Sequence, residues 1–368
     1  MLSRILQHLN RLVAFDTRNP PRAIGSDGIF DYLRENLPGF QVDVTDHGAG
    51  AVSLLAVRGE TTRVFNVHLD TVPSSPAWTA DPLRLRVTTD RAIGLGACDI
   101  KGAAAGLLAA AELTTGPVAF LFTSDEEAND ARCIPAFLKR EHGFTEAIVA
   151  EPTQAQAVLA HRGIVSARIA FKGQAGHASA ANAMELSAVH QAMRWGVKSL
   201  DHVASLSYSR FGGLTGLRFN IGKMEGGIKG NVIAPSAELR FGFRPLPSQD
   251  FEQLHQVFRG FAEPSSLADY EETFRGPSLP SGDIASAEER RLQARDLADA
   301  LDMPIGNAVD FWTEASLFSA AGLTSLVYGP GDIAQAHSAD EWVALDQLVA
   351  VASTYRRLMG GPNVQDHE

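Results

Sequence analysis

Apolar residues fall at every third or fourth position near the start of the chain. This spacing predicts a helix over residues 1–15, and the two prolines of Asp16–Pro21 end it because proline cannot continue a helix. The same reasoning gives a series of further elements. They are a helix over Ser26–Leu37, strands at Gln41–Thr45, Val52–Val57 and Val64–Leu69, a hairpin arm at Asp81–Asp90, an alanine-rich helix at Ala103–Leu113, and strands at Val118–Thr123 and Ile148–Ala150.

The pattern changes at about residue 164, where apolar and polar residues alternate strictly. Val165, Ala167, Ile169 and Phe171 face one side, which indicates a half-exposed antiparallel strand. The elements that follow are a helix at Glu185–Leu200, strands at Leu217–Glu225 and Ala237–Pro245, a helix at Phe251–Phe261 and a strand at Tyr270–Phe274. This order predicts a compact α+β unit with helices on one sheet face, and with a free face and edge that can pair with another chain.

The α/β pattern resumes after Gly276–Pro280. It predicts a helix at Ala287–Leu301, a turn into a helix at Asp310–Phe318, a strand at Ser325–Tyr328 and a closing helix at Val343–Leu358. The sequence therefore predicts an α/β domain in two parts, residues 1–162 and 276–368, interrupted by an inserted domain at residues 163–275.

Composition narrows the classes of partner. The chain has 368 residues and a formal net charge of −11, which argues against nucleic acid and anionic membranes as partners. We find no apolar run of transmembrane length, and the first residues are typical of an amphipathic helix instead of a signal peptide. Cys98 and Cys133 are the only cysteines, which suits a reducing cytoplasm. We therefore expect a cytoplasmic protein.

His68 and Asp70 lie where the strand predicted at Val64–Leu69 ends. Residues two apart on a strand point to the same side, and a carboxylate beside an imidazole is how metal sites hold a histidine in place. Two residues form a weak motif, so a surface histidine beside a solvated aspartate remains an alternative.

Further candidate ligands follow predicted strands or lie in loops. They are Asp99, Glu126, Glu127, Glu151 and His337. Imidazoles and carboxylates of this kind suit one or two divalent ions such as zinc, cobalt or manganese, and a carboxylate that binds no metal could act as a general base. Three alternatives stay open here: solvated loop acids, a Cys98 thiolate ligand, and a phosphate-binding loop at Ile93–Gly102.

Six motifs along the chain resemble those of one metallohydrolase family, the acetylornithine deacetylase, succinyl-diaminopimelate desuccinylase and carboxypeptidase G group. They are His68–Asp70, Gly94–Gly102, Ser124–Glu127, Ala150–Thr153, Gly176–Ser179 and Ala336–Ser338. The resemblance covers nearly the whole chain. It implies a mixed-sheet, zinc-peptidase-like catalytic domain with an inserted ferredoxin-like lid and dimerisation domain.

The resemblance also implies a role for each residue of the centre. His68 and Glu151 would bind one zinc or cobalt ion, Glu127 and His337 the other, and Asp99 would bridge the two. Asp70 would orient His68, and Glu126 would be the general base for the attacking water. The resemblance further implies a cis peptide bond after Asp99.

Substrate and partner are implied in the same way. His177 would donate to the oxyanion of a neighbouring subunit in a homodimer, and Asn231 would contact substrate across that interface. Arg244 would bind the substrate's α-carboxylate, which suits the bidentate geometry of arginine, although a solvent-facing arginine remains an alternative. Glu314 is a candidate to contact the substrate side chain.

The implied reaction is removal of the acetyl group from the α-nitrogen of a citrulline-like amino acid in arginine biosynthesis. Three stretches, Phe15–Ile24, Ser124–Asp130 and Asn307–Glu314, resemble most closely the members that act on acetylated citrulline. Three alternative substrates remain open: N-acetylornithine, another acylated amino acid, or a dipeptide. An alternative that is not an enzyme also remains, namely a non-catalytic metal-binding protein of the same fold.

Overall fold

The computed structural model describes residues 1–21, 24–128 and 130–360. Arg22, Ala23 and Asn129, which belong to two of the stretches used for the substrate prediction, lie outside the described residues. The strands are, in chain order, β1 (Gln41–Asp46), β2 (Val52–Arg58), β3 (Arg63–His68), β4 (Arg86–Val87), β5 (Arg91–Ile93), β6 (Val118–Thr123), β7 (Glu146–Val149), β8 (Ile164–Lys172), β9 (Arg210–Phe211), β10 (Leu214–Thr215), β11 (Arg218–Gly226), β12 (Ser236–Arg244), β13 (Leu267–Gly276), β14 (Thr324–Val327) and β15 (Trp342–Ala344).

Most of the segments predicted to be helical form α-helices in the structure. They are α1 (Leu2–Ala14), α2 (Ile29–Glu35), α3 (Gly102–Ala111), α4 (Cys133–Leu138), α5 (Ala183–Leu186), α6 (Ala188–Ser205), α7 (Phe251–Gly260), α8 (Ala287–Ala300), α9 (Ala315–Ala320) and α10 (Leu345–Leu358). In the described part of the chain, none of them combines the length and hydrophobicity that crossing a bilayer requires.

Some element boundaries differ from the prediction, for identifiable reasons. The closing helix begins at Leu345 because Trp342–Ala344 pairs with β5 as a short strand. Helix α6 begins after Ser187, whose hydroxyl accepts a hydrogen bond from the backbone N–H of His190 and caps the helix. Within the predicted hairpin arm at Asp81–Asp90, only Arg86–Val87 forms a strand.

The chain forms two compact units. The first consists of the described residues within 1–159, 292–307 and 313–368, and the second of residues 160–291 and 308–312. The second unit therefore extends beyond the predicted insertion at 163–275. A small apolar cluster accounts for part of the extension, because Ala287 packs there with Ala160, Phe211 and Leu246.

A six-stranded mixed sheet organises the first unit, with the strand order β1-β2-β6-β3-β7-β14. Strands β6, β3, β7 and β14 run parallel, so their carboxyl ends lie at the same edge. Every residue of β6 is buried, as is every residue of α3, and this explains why both segments are continuous apolar runs. The fold thus brings the ends of the parallel strands together, as predicted for an α/β domain.

The main sheet of the second unit and the two helices that cover it follow the order β8-α6-β11-β12-α7-β13 along the chain, with α5 and the short β9-β10 pair between β8 and β11. Its strand order is β11-β12-β8-β13, all antiparallel. This is the predicted ferredoxin-like arrangement. Apolar residues of β8 and β12 pack with Trp195 of α6 and Phe258 of α7 on one face of the sheet. The residues that alternate with them lie on the open face.

Candidate metal centre

The candidate ligands of the first unit come from loops at the carboxyl edge of its sheet. His68 is the last residue of β3 and pairs with Thr123, the last residue of β6. Glu126 and Glu127 follow β6 by three and four residues, and Glu151 follows β7 by two. Because these strands are parallel and in register, all four side chains start from the same edge of the sheet.

His68, Asp99 and Glu151 form the first group of candidate ligands, with one ligand atom of each within 4.8 Å of the others. Nε2 of His68 lies 3.1 Å from Oδ1 of Asp99 and 3.8 Å from Oε1 of Glu151. All three side chains are buried. The geometry suits one ion held by an imidazole and two carboxylates.

Asp99, Glu127 and His337 form the second group. Nε2 of His337 lies 3.3 Å from Oδ2 of Asp99 and 2.9 Å from Oε1 of Glu127. Asp99 therefore presents one oxygen to each group, as a bridging carboxylate does. The Asp99–Ile100 peptide bond is cis, as expected.

Electrostatics test whether a cation pair fits this arrangement. Burial, followed by the charge of Asp99, raises the pKa of Glu151 well above its ordinary value. Hydrogen bonds to Asp99 and Glu127 raise the pKa of His337 to about 10. Acids this closely packed need positive charge between them to stay ionised, and imidazole with carboxylate is a donor set that zinc and cobalt accept. The residues present therefore fit two divalent ions.

Asp70 supports this centre through contacts that the sequence did not indicate. Nδ1 of His68 lies 3.1 Å from the backbone carbonyl of Asp70, closer than its carboxylate oxygen at 3.6 Å. The carboxylate accepts the backbone N–H of Glu127 at 3.0 Å and of Glu126 at 3.3 Å. Asn19 adds a third donor, with Nδ2 at 3.0 Å. Asp70 thus fixes the loop that carries both glutamates.

Glu341 is a second supporting residue that sequence analysis missed. It is 2 % exposed, and its carboxylate accepts the backbone N–H groups of Gly96, Cys98 and Asp99 at 3.0, 2.8 and 2.9 Å. Burial and the charge of Asp99 raise its pKa to about 7 despite these three bonds. Gly96 has φ +76°, and a Cβ there would lie 2.7 Å from Thr71, so the turn requires glycine. Glu341 thereby fixes the loop that presents the bridging Asp99.

Glu126 differs from its neighbour Glu127. It belongs to neither ligand group, and within the described residues its carboxylate accepts no hydrogen bond. Burial raises its pKa to about 8, with the charges of Glu127 and Asp99 adding to the effect and that of His68 opposing it. An unpaired carboxyl with a pKa near neutrality is what a general base requires.

Glu314 and Cys98 are both buried in the first unit. Glu314 is 2 % exposed and accepts a hydrogen bond of 3.4 Å from the hydroxyl of Thr123. Burial, then the charges of Asp125 and Glu126, raise its pKa well above normal. Burial likewise raises the pKa of the Cys98 thiol, whose sulfur contacts the carbonyl of Asp332 at 3.4 Å. Among the described residues, Cys98 belongs to neither group of candidate ligands, which disfavours a thiolate ligand.

The three remaining predicted residues lie in the second unit. His177 and Asn231 are both exposed, and a backbone bond of 3.2 Å from the Ala178 N–H to the Asn231 carbonyl brings their loops together. Nδ1 of His177 accepts the backbone N–H of Ser179 at 3.3 Å and lies 2.7 Å from the Ser179 hydroxyl, so the ring is held to its own loop through Nδ1. Arg244 ends β12 and points to the open sheet face, on the opposite side from Phe243.

Comparison with known proteins adds sequence relatives. A model of the family described as Peptidase family M20/M25/M40 matches residues 64–360. The chain is 67% identical over 362 residues to N-acetyl-L-citrulline deacetylase from Xanthomonas campestris pv. campestris, covering 98% of this chain and 99% of that protein. It is 31% identical over 376 residues to acetylornithine deacetylase from Myxococcus xanthus, covering 95% of each.

Solved structures with the same fold are more distant in sequence. Aminopeptidase PepT from Bacillus cereus has a TM-score of 0.73 at 17% identity, covering 98% of each chain. A dinuclear metal-binding M20 peptidase from Bacillus subtilis has a TM-score of 0.64 at 15% identity, covering 98% of this chain and 99% of that one.

Proposed function

The chain belongs to peptidase family M20/M25/M40, and we propose that it is a metal-dependent amide hydrolase that converts N-acetyl-L-citrulline to citrulline and acetate. The observation that carries this proposal is the 67% identity to N-acetyl-L-citrulline deacetylase over 98% of the chain. The centre at the sheet edge supplies matching chemistry, with two ligand groups that share Asp99. Participation in arginine biosynthesis is part of the same proposal.

We propose zinc or cobalt as the metal. His68, Asp99 and Glu151 would hold one ion, and Asp99, Glu127 and His337 the other. When bound, such ions polarise a carbonyl oxygen and lower the pKa of water. Asp70 and Glu341 would keep the ligands in place through the backbone bonds described above.

Glu126 is the proposed general base. It would take a proton from the water that attacks the acetyl carbonyl and deliver it to the leaving α-amine, so that one carboxyl serves both steps. Its backbone is fixed by Asp70, while its carboxylate makes no protein hydrogen bond within the described residues. The side chain is therefore positioned and still free to exchange a proton.

We also propose a cytoplasmic homodimer in which the partner subunit completes each site. Met193, Val197 and Leu200 form an apolar stripe on α6 and are 57, 58 and 55% exposed, and β11 is an edge strand of the same unit. Such a stripe beside a free strand edge is a surface that a second copy would cover. Cys98 and Cys133 are buried free thiols, which suits a reducing compartment.

In such a dimer, His177 and Asn231 would serve the neighbouring subunit. Nε2 of His177 would donate a hydrogen bond to the oxyanion that forms during attack, a contribution of about 10²- to 10³-fold in rate. The adjacent Asn231 would contact the substrate. Arg244 would bind the α-carboxylate, and a role for the buried Glu314 toward the side chain stays a prediction.

Acetate release from N-acetyl-L-citrulline and N-acetyl-L-ornithine tests the proposal directly. The two substrates share the scissile bond and the α-carboxylate, so kcat/KM separates them by side chain alone. We expect a clear preference for the citrulline derivative and loss of activity after chelation, with recovery on adding zinc or cobalt. A preference for acetylornithine or a dipeptide would refute the substrate assignment. Full activity after complete metal removal would refute the mechanism.

A further inference from the structure

Two arginines face each other on the open face of the second unit's sheet. Arg218 of β11 pairs directly with Arg244 of β12. Their neighbours Phe219 and Phe243 point to the helix-covered face, so both guanidinium groups point to the other side. Both arginines line a concavity of about 740 Å³ on that face. Like charges directly opposite on adjacent strands destabilise a sheet unless an anion lies nearby.

A buried arginine fixes the backbone beneath this pair. Arg162 is fully buried and donates to the carbonyls of Thr215 and Gly216 at 2.8 and 2.6 Å, just before β11 begins. The same guanidinium lies 3.4 Å from the carbonyl of Arg244. The two strands are therefore held together at the position where the opposed arginines stand, so the spacing of their side chains is set by the fold.

The charges around the pair do not balance. Asp310 is bonded to the buried Arg162 and reaches Arg218 only at 3.5 Å. Within the described residues, Arg244 has no acidic partner, although it is part-buried and burial lowers its pKa. The Asp310 carboxylate is thus shared between the guanidinium groups of Arg162 and Arg218, and among the described residues no carboxylate is bonded to that of Arg244. A part-buried cation without a counter-ion is costly, so this region favours an anionic ligand.

A second opposed pair on the same face shows the contrast. Arg168 and Arg240 are also directly paired, on β8 and β12. Acids surround them: Arg168 bonds to Glu238, Asp269 and Glu271, and Arg240 bonds to Glu238 at 3.2 Å. The sheet therefore neutralises one arginine pair with its own carboxylates and leaves the other open to a ligand.

We infer that Arg218 and Arg244 together bind the substrate's α-carboxylate, and that Arg218 is a specificity-determining residue. This inference rests on the proposed deacetylase function and adds a second guanidinium to the single arginine assigned above. Two guanidinium groups that bind the same carboxylate distinguish it strongly from a neutral amide. A single exposed cation makes the same distinction only weakly.

The test compares N-acetyl-L-citrulline with its α-carboxamide. In wild type, we expect the carboxylate to be preferred by kcat/KM. In Arg218→Gln, that preference should fall at least about tenfold, mainly through KM for the carboxylate, with the carboxamide rate unchanged. Arg240→Gln is the matched control, since it removes a paired arginine from the same face, and it should leave the preference intact. Arg218→Lys should restore part of it.

Two results would overturn the inference. The first is that Arg218→Gln prefers the carboxylate over the carboxamide as strongly as wild type does. The second is that the variant loses the same factor in kcat/KM for both substrates. Failure of the proposed function is a separate outcome. If the enzyme cleaves only acetylornithine, the same carboxylate and carboxamide comparison applies in that series. If it cleaves neither, calorimetric titration of wild type and Arg218→Gln with N-acetyl-L-citrulline decides, because weaker binding by the variant supports the site and equal binding refutes it.

Discussion

Replacing Glu126 with glutamine should lower activity and raise stability at once. The change removes the ability to accept a proton while keeping the size of the side chain. Because Glu126 belongs to neither ligand group, metal content should persist. Loss of a general base costs about 10²- to 10⁴-fold in rate, so kcat should fall by that factor with KM little changed.

The stability effect follows from the pKa of Glu126. Burial, then the charges of Glu127 and Asp99, raise it from 4.5 to about 8. Below pH 4.5 the carboxyl is protonated in both folded and unfolded chains and has no effect. Between pH 4.5 and 8 the unfolded chain loses the proton first, so stability falls as pH rises, and above pH 8 the whole cost remains. Glutamine carries no such cost.

The shift sets the size of the effect. At about 1.4 kcal/mol per pKa unit, its upper bound is about 5 kcal/mol. Because the side chain is part-exposed and solvent screens it, we expect about 2 kcal/mol. The chelator-treated variant should therefore be more stable than chelator-treated wild type at pH 8 by about that amount. At pH 4.5 the two should be nearly equal.

Three measurements on the same preparations check this prediction: acetate release, bound metal, and urea unfolding of the stripped proteins at both pH values. Glu35→Gln is the matched control, since Glu35 is exposed on α2 and should change none of them. Glu127→Gln should instead lose metal. If Glu126→Gln keeps activity within tenfold of wild type while metal-loaded, the base assignment is wrong. If the stability difference does not grow with pH, the electrostatic argument is wrong.

Two further predictions concern the supporting residues and the dimer. Glu341→Ala removes the acceptor of three backbone N–H groups, so metal affinity measured by chelator competition should fall about 10- to 100-fold. The control Asp346→Ala replaces an exposed acid close by in the sequence and should leave metal affinity unchanged. Unchanged affinity in Glu341→Ala would contradict the role given to Glu341. Val197→Asp places a charge in the exposed apolar stripe of α6 and should yield a folded monomer with little activity. Sedimentation measures the oligomeric state and acetate release measures the activity. A fully active monomer would exclude a site shared between subunits.

Local patterns determined much of this protein. Short continuous apolar runs located the strands of the parallel sheet, because both faces of such a strand are buried and its residues are therefore apolar without alternation. The ligand types at the strand ends followed in the same way: His68 ends β3, and Glu127 and Glu151 follow buried runs. Since parallel strands share one carboxyl edge, these positions pointed to a common centre before any distance was known.

Tertiary structure decided which distant groups support that centre. Asn19 reaches Asp70 from 51 residues away, and Glu341 meets Gly96 from 245 residues away. Neither has a local signature, because a single hydrogen bond between residues so far apart leaves no periodic trace in the sequence of either partner.

The facing arginines show the same limit within one sheet. Arg218 could be placed on a strand by its neighbours, but its pairing with Arg244 depends on a register that shifts between Ile221 and Lys223. A shift of one residue turns every side chain to the other face, and the choice is made by packing across strands. Sequence thus set the elements and the chemistry available at their ends, while the pairing of remote backbone and charged groups was settled only by the folded chain.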